Sequence, residues 1–287
     1  MNGTAAARRL LSPTLNQTID QVLIIAYKES TQDLEEFFGR EGFSCDVIRQ
    51  LDQPEFQGFS RSYLCLLNHC RAWQRASCEP KPTLIIEADF VPVVQLGKLP
   101  LPCDPSRTDL GIAWLYTCAP QIYSVSKDGY IEGFSTAMVA YIVTPESAQC
   151  LIEFGESIQQ TQQATDYSSW DSTIEQFLRL QKLKNYIPFR NYGEHGGYPN
   201  PEHRQHGLNP SHRADVLYGK LAFLPAYAIA NSKSHPLPYL WVRLQARLKG
   251  IGRLVMGRFL RLKVLRETSD PLRLLSCAIR RQFSLPL

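Results

Sequence analysis

Two carboxylates one residue apart, Glu87 and Asp89, follow a short apolar run, Thr83-Leu84-Ile85-Ile86. A run this short and this apolar reads as a strand buried on both faces. In open α/β sheets, ligands bind beyond the carboxyl ends of the strands. Carboxylate oxygens placed there suit Mn²⁺ or Mg²⁺, hard cations that prefer oxygen and bridge diphosphates. Such a cation neutralises the charge that builds on a departing phosphate. The plainer alternative is an acidic turn that merely ends a strand.

Other residues of the right chemistry lie on either side. His69 sits on a helical pattern that directly precedes the Glu87–Asp89 strand. It lines a ligand pocket, or it is a core histidine bonded to a backbone carbonyl. Asp166 and Asp171 are the candidates for a general base. Against that role, Asp166 ends a loop, and Asp171 falls three residues after Ser168, where it completes a capping-box-like helix start. The stretch Gly193-Glu-His-Gly-Gly197 would let the backbone approach phosphates, with His195 completing a metal shell or touching a diphosphate. The near-repeat Asn200-Pro-Glu-His-Arg204 and Asn209-Pro-Ser-His-Arg213 adds histidines, giving four of the chain's six between residues 186 and 213. The pair His203 and His206 has no cysteine pair nearby, which disfavours zinc. No Gly-x-Gly-x-x-Gly or Walker A pattern is present, so dinucleotide and P-loop chemistry have no support.

The elements that must position these groups alternate. Val22–Ala26 is a strand. Ser30 or Thr31 caps a helix carrying Leu34, Phe37 and Phe38, and Ser44–Arg49 is a second strand, which makes one βαβ unit. Ser60 caps a helix on which Phe59, Tyr63, Leu66, Cys70 and Trp73 recur at helical spacing. Leu110–Tyr116, Gln121–Val125 and Ala137–Val143 read as further strands. Thr144 caps a helix with Pro145 at its first position, and another helix spans Ser168–Lys182. Tyr186–Arg213 is rich in Gly, Pro, Asn and His and reads as a long ordered loop.

The stretch Ser60–Trp73 (SRSYLCLLNHCRAW) and the run into Glu87-Ala-Asp89 together resemble glycosyltransferase family 25, the lipopolysaccharide and collagen sugar transferases. That family carries a cysteine, a Ser-His pair and a tryptophan on one helix, then a strand ending Glu-Asp-Asp. Cys65, His69 and Trp73 match, and Asn68 stands in place of the serine. Ser135–Leu151 resembles a later family block, and Asp166-Tyr167 resembles the Asp-Trp or Asp-Tyr pair that follows it. The matched blocks keep the family's order from about residue 22 to 190. Two positions depart: Ala88 replaces the middle acid, and Arg61-Ser62 replaces a Gly-Glu pair.

The resemblance implies an α/β fold of GT-A type, a mainly parallel sheet with helices on both faces. It implies an inverting transfer of a hexose, galactose or glucose in type, from a UDP-sugar to a hydroxyl of a glycan or hydroxylysine; the expected acceptor is a surface glycan such as lipopolysaccharide, free or lipid-linked. Glu87 and Asp89 would bind the metal; His69, Glu87, Asp89 and His195 would line the donor site; Asp166, or Asp171 in its place, would be the base. The two departures motivate the alternative of a non-catalytic module that binds a nucleotide sugar or glycan.

Composition sets the frame. The 287 residues are 44% hydrophobic and 20% charged, enough apolar surface for a true core. Eight scattered cysteines with no Cys-x-x-Cys pair fit core thiols in a reducing compartment. No secretory signal and no membrane-spanning run are legible, and the expected location is the cytoplasm. The formal charge of +4 divides unevenly: residues 1–238 hold 20 basic and 25 acidic residues, and 239–287 hold 11 and 2, a net of +9. The expected division is a loose leader at 1–20, a catalytic domain at 21–238 and a basic tail at 239–287. In the tail, Leu244, Leu248, Ile251, Val255, Phe259 and Leu262 recur at helical spacing among arginines. Such a helix lies on an anionic membrane surface, or packs on the domain with its arginines solvated. Nucleic acid is disfavoured by the tail's few aromatics and the acidic body.

Overall fold

The computed structural model describes residues 13–199, 201–207, 211–229 and 237–284. Residues 1–12 of the expected leader lie outside the described residues, as do 200 and 208–210 of the near-repeat and the His203 side chain. The chain opens with α1 (Leu15–Thr18), β1 (Gln21–Ala26), α2 (Gln32–Arg40), β2 (Ser44–Arg49), α3 (Arg61–Ala76) and β3 (Thr83–Glu87). Next come β4 (Phe90–Pro92), β5 (Leu110–Trp114), β6 (Gln121–Val125), β7 (Ile131–Phe134), β8 (Ala140–Val143) and α4 (Pro145–Thr161). Then follow α5 (Ile174–Leu180), β9 (Lys184–Ile187), β10 (Gly193–His195), α6 (Pro201–Gln205) and α7 (Ala226–Ile229). Three helices end the described chain: α8 (Leu237–Val255), α9 (Leu262–Glu267) and α10 (Pro271–Phe283).

Eight strands form one sheet in the order β2-β1-β3-β8-β5-β9-β7-β6. β1 is parallel to β2 and β3, and β5 to β9, while β8 opposes β3 and β5, and β7 opposes β9 and β6. Following these pairings, six of the eight strands point one way, so the sheet is mainly parallel. Its apolar runs alternate between two cores. Val22 and Ile24 face α2 through Leu34, Phe37 and Phe38. Leu23 and Ile25 face the other layer, with Leu66 and Trp73 of α3 and Leu151 and Phe154 of α4. Helices therefore cover both faces, which is why the strands read as continuous apolar runs. Ser60 caps α3 by accepting the Tyr63 N–H, and Thr144 closes a capping box with Ser147 on α4.

Three expectations are corrected. The helix over Ser168–Lys182 is only α5, preceded by a 3₁₀ turn at Trp170–Ser172. Ser168 does not cap it, because its N–H donates to Ser62 Oγ and its hydroxyl to Gln162 Oε1, while the Trp170 indole donates to Ser62 O. Bonds to α3 thus displace the local cap. The loop Tyr186–Arg213 contains the end of β9, all of β10 and α6; β10 is three residues long and pairs with distant β4, so no local periodicity betrays it. The helix expected through Leu262 ends at Val255, and the chain turns at Gly257, whose φ of +67° is a left-handed conformation that glycine adopts without strain. Leu244, Leu248 and Val255 face solvent rather than the body. Two of the basic residues in this part turn inward instead, half-buried Arg243 against Glu194 and buried Arg281 against Asp215. Among the described residues no helix is long and apolar enough to cross a membrane.

Candidate active site

The carboxylates stand where β3 ends. Glu87 is its last residue, beside Ile25 of β1, and Asp89 lies in the turn to β4. Ala88 between them packs against the core, and its N–H donates to Ile25 O. Position 88 therefore faces the core, and the carboxylates of Glu87 and Asp89 flank it.

Antiparallel pairing of β4 with β10 sets His195 opposite Phe90, so that its imidazole reaches back to Asp89. His195 Nε2 is 2.8 Å from Asp89 Oδ2, and its Nδ1 is 3.3 Å from the carbonyl of His212. Both partners are acceptors, so the ring is doubly protonated in this arrangement. Burial alone would lower the His195 pKa, but the charge and hydrogen bond of Asp89 raise it to about 9. Burial likewise opposes charge on Asp89, yet His195 and Arg213 hold its carboxyl below the ordinary range. Gly197 permits this approach: a Cβ there would lie 2.3 Å from Asp89 Oδ2. Arg213 fixes the glycine stretch by donating to the carbonyls of His195 and Gly197.

Glu87 is held from behind. His69 is 0% exposed, with Nε2 3.2 Å from Glu87 Oε1 and Nδ1 2.7 Å from the Tyr141 hydroxyl. Trp73 Nε1–H also donates to Tyr141 oxygen, at 2.8 Å. A carboxylate only accepts, so His69 Nε2 carries the proton, Nδ1 accepts from Tyr141, and the chain of bonds is fully satisfied. Cys65 Sγ donates weakly to the same Glu87 oxygen at 3.7 Å. Burial pushes that thiol well above its ordinary range, and the charges of Glu87 and Asp171 push it further, so it stays a thiol. Of the two readings of His69, these contacts describe a histidine enclosed in the core. Both ring nitrogens are taken, Trp73 and Trp170 wall the ring in, and no edge is left for a ligand. His69 reaches the site only through Glu87 Oε1.

The two proposed bases separate. Asp166 is exposed, and its backbone carbonyl accepts from Ser60 Oγ at 2.7 Å. Asp171 sits in the 3₁₀ turn that Ser62 pins to α3. Burial lifts its pKa to about 7, opposed by the Ser172 N–H and reinforced by the charge of Glu87.

Glu87, Asp89 and His195 offer ligand atoms that all lie within 4.8 Å of one another, as do Cys65, His69 and Glu87. The first set fits a hard divalent cation. It is two carboxylates and an imidazole, and Asp89 Oδ1 is buried with no hydrogen-bond partner among the described residues. The second set is closed by its own hydrogen bonds and a protonated thiol. Sequence reasoning named the carboxylates and both histidines but missed Tyr141, Arg213 and the Glu194–Arg243 pair. Glu194 is 0% exposed, accepts the His195 and Ala214 N–H groups, and is neutralised by Arg243 of α8. Its position beside His195 was the available signal.

No protein-family model matches the chain, and no curated protein does. Among the solved structures similar to it are two glycosyltransferases. One is a glycosyltransferase involved in glycosylation of the major capsid of PBCV-1, at 9% identity and TM-score 0.41, covering 58% of this chain and 80% of that one. The other is a mutant Drosophila β1,4-galactosyltransferase 7 in complex with manganese, UDP-Gal and xylobiose, at 12% identity and TM-score 0.35, covering 75% of this chain and 81% of that one.

Proposed function

We propose that this chain is a metal-dependent inverting glycosyltransferase. It takes a hexose, galactose or glucose in type, from a UDP-sugar and delivers it to a hydroxyl of a glycan such as lipopolysaccharide, free or lipid-linked, at the cytoplasmic face of a membrane. The observation that carries the reading is the cluster Glu87–Asp89–His195 at the carboxyl end of a buried parallel strand, with one Asp89 oxygen buried and without a partner among the described residues. The motif resemblance of Ser60–Asp89 and Ser135–Leu151 agrees with it.

Glu87, Asp89 and His195 would hold Mn²⁺ or Mg²⁺, which when bound supplies charge neutralisation for the leaving diphosphate. His195 would have to give up its proton to serve as a ligand. His69, Tyr141 and Cys65 keep Glu87 aimed. Asp171, with a pKa of about 7, takes the acceptor hydroxyl's proton as the bond to the sugar forms from the face opposite the diphosphate. Asp166 is left at the solvent edge, a less suitable base.

The test is release of UDP from UDP-hexoses with Mn²⁺ and glycan acceptors. The native chain is expected to turn over and Asp89→Ala is not. An Asp89→Ala rate within a few-fold of native overturns the metal assignment, and UDP binding without turnover across donors and acceptors marks a non-catalytic binding module.

A further inference from the structure

Between Tyr198, Ser211, Arg213 and Tyr227 on one side and α8 on the other lies a cavity of about 420 Å³. Among the described residues its wall carries three cations, Arg213, Lys249 and Arg253, together with Tyr198 and Tyr227, and no carboxylate. Neither Lys249 nor Arg253 makes an ion pair with a carboxylate among the described residues. The Tyr227 hydroxyl is buried with no partner there either. A cavity of this size and polarity fits an anionic group with a small polar body.

The same helix has a second unusual surface. Leu240, Leu244, Leu248 and Val255 follow one stripe of α8, and all face solvent with Trp241 beside them. Gln245, Lys249 and Arg253 follow the same spacing one step round the helix, so the cationic cavity opens along the flank of the apolar stripe. α10 repeats the pattern with exposed Leu272, Leu275, Ile279 and Phe283. Of the 18 exposed large hydrophobic residues described, 11 lie between residues 240 and 283, and residues 239–287 carry a net charge of +9. The inner face of α8 is fixed to the body through Arg243–Glu194 and through Gly250 against Asp215 and Gln282. An apolar face rimmed by cations on a rigidly held helix is complementary to an anionic lipid surface.

We propose that α8 lies on an anionic bilayer and that the cavity on its flank seats the phosphate of a lipid headgroup. This goes beyond the proposed transfer reaction and does not depend on it.

Trp241 is 60% exposed and the other three tryptophans are buried, which supplies a direct probe. The native chain is mixed with vesicles whose acyl chains are brominated, of phosphatidylcholine alone or with phosphatidylglycerol. Anionic vesicles are expected to quench tryptophan fluorescence, and Trp241→Phe, a substitution at an exposed position, is expected to abolish the quenching. Reversing the cavity charges with Lys249→Glu and Arg253→Glu is expected to raise the lipid needed by about tenfold or more. Absence of quenching, equal quenching by neutral vesicles, or an unchanged response after charge reversal overturns the proposal. Calorimetry with inorganic phosphate and with glycerol phosphate distinguishes a free ligand: tight binding of either, with vesicles ignored, overturns it. So does a dimer in size exclusion that Leu244→Glu with Leu248→Glu converts to monomer, because a second copy then covers the stripe. No arm contains a nucleotide sugar, so this proposal and the transfer reaction fail separately.

Discussion

The site contains the same pair of residue types twice. His69 touches Glu87 and His195 touches Asp89, at 3.2 and 2.8 Å, yet the two pairs have different chemistry. His69 is sealed among Trp73, Trp170 and Tyr141, and its second nitrogen is occupied by a hydroxyl that also accepts from Trp73. His195 is 16% exposed, belongs to a short strand that runs into glycines, and leaves Asp89 Oδ1 without a partner among the described residues. One pair is a finished network that rigidifies, and the other is an incomplete one that can accept a cation. Contact alone does not assign a role; the remaining lone pairs and their access do.

Substitutions break this comparison in graded ways. Asp89→Asn removes the open ligand and is expected to lower Mn²⁺-dependent turnover by about a thousandfold, as a cation's several kcal/mol of charge stabilisation would require; steady-state kinetics at saturating metal checks it. Asp171→Asn is expected to cost about 10²- to 10⁴-fold in turnover with donor binding retained. His69→Gln is expected to cost about ten- to hundredfold in metal affinity, read by titration, because it only loosens Glu87. Cys65→Ser, which touches the network through one weak bond, is expected to change turnover by less than about threefold.

Asp171 also gives a stability signature. Its folded pKa of about 7 exceeds the unfolded value of 3.8, so the folded state retains the proton more tightly. The cost of burying the charge is absent below about pH 4 and grows until about pH 7. Melting of metal-free Asp171→Asn should match native at pH 4 and exceed it at pH 8. Equal melting at both pH values would show that the carboxyl is solvated. In the catalysed reaction the rising limb of the pH–rate profile should fall at or below about pH 7, because a cation near Glu87 favours the ionised form.

Much of the framework was legible because long, periodic or capped segments carry their own signal. β1, β2, α3 and α4 followed from apolar runs and from Ser60 and Thr144. β4, β7 and β10 were not legible, since strands of three or four residues take their conformation from partners far along the chain. The carboxylates at residues 87 and 89 could be named from sequence, but the function of His69 depends on Tyr141, 72 positions away. Asp171 was misplaced because Ser168 offered a plausible local cap that Ser62 of α3 forestalls. The outward apolar stripe of α8 was legible as a stripe but not as a direction, because Arg243 turns inward to a buried Glu194.

The central claim is that Glu87, Asp89 and His195 form a cation site for a nucleotide diphosphate. Calorimetry of UDP with the native chain, with Mn²⁺ and then with chelator, tests it most directly. The account expects UDP to bind at least tenfold more tightly with Mn²⁺, and Asp89→Asn to lose that difference while keeping its fold by circular dichroism. UDP affinity unchanged by chelation, or by Asp89→Asn, would contradict it.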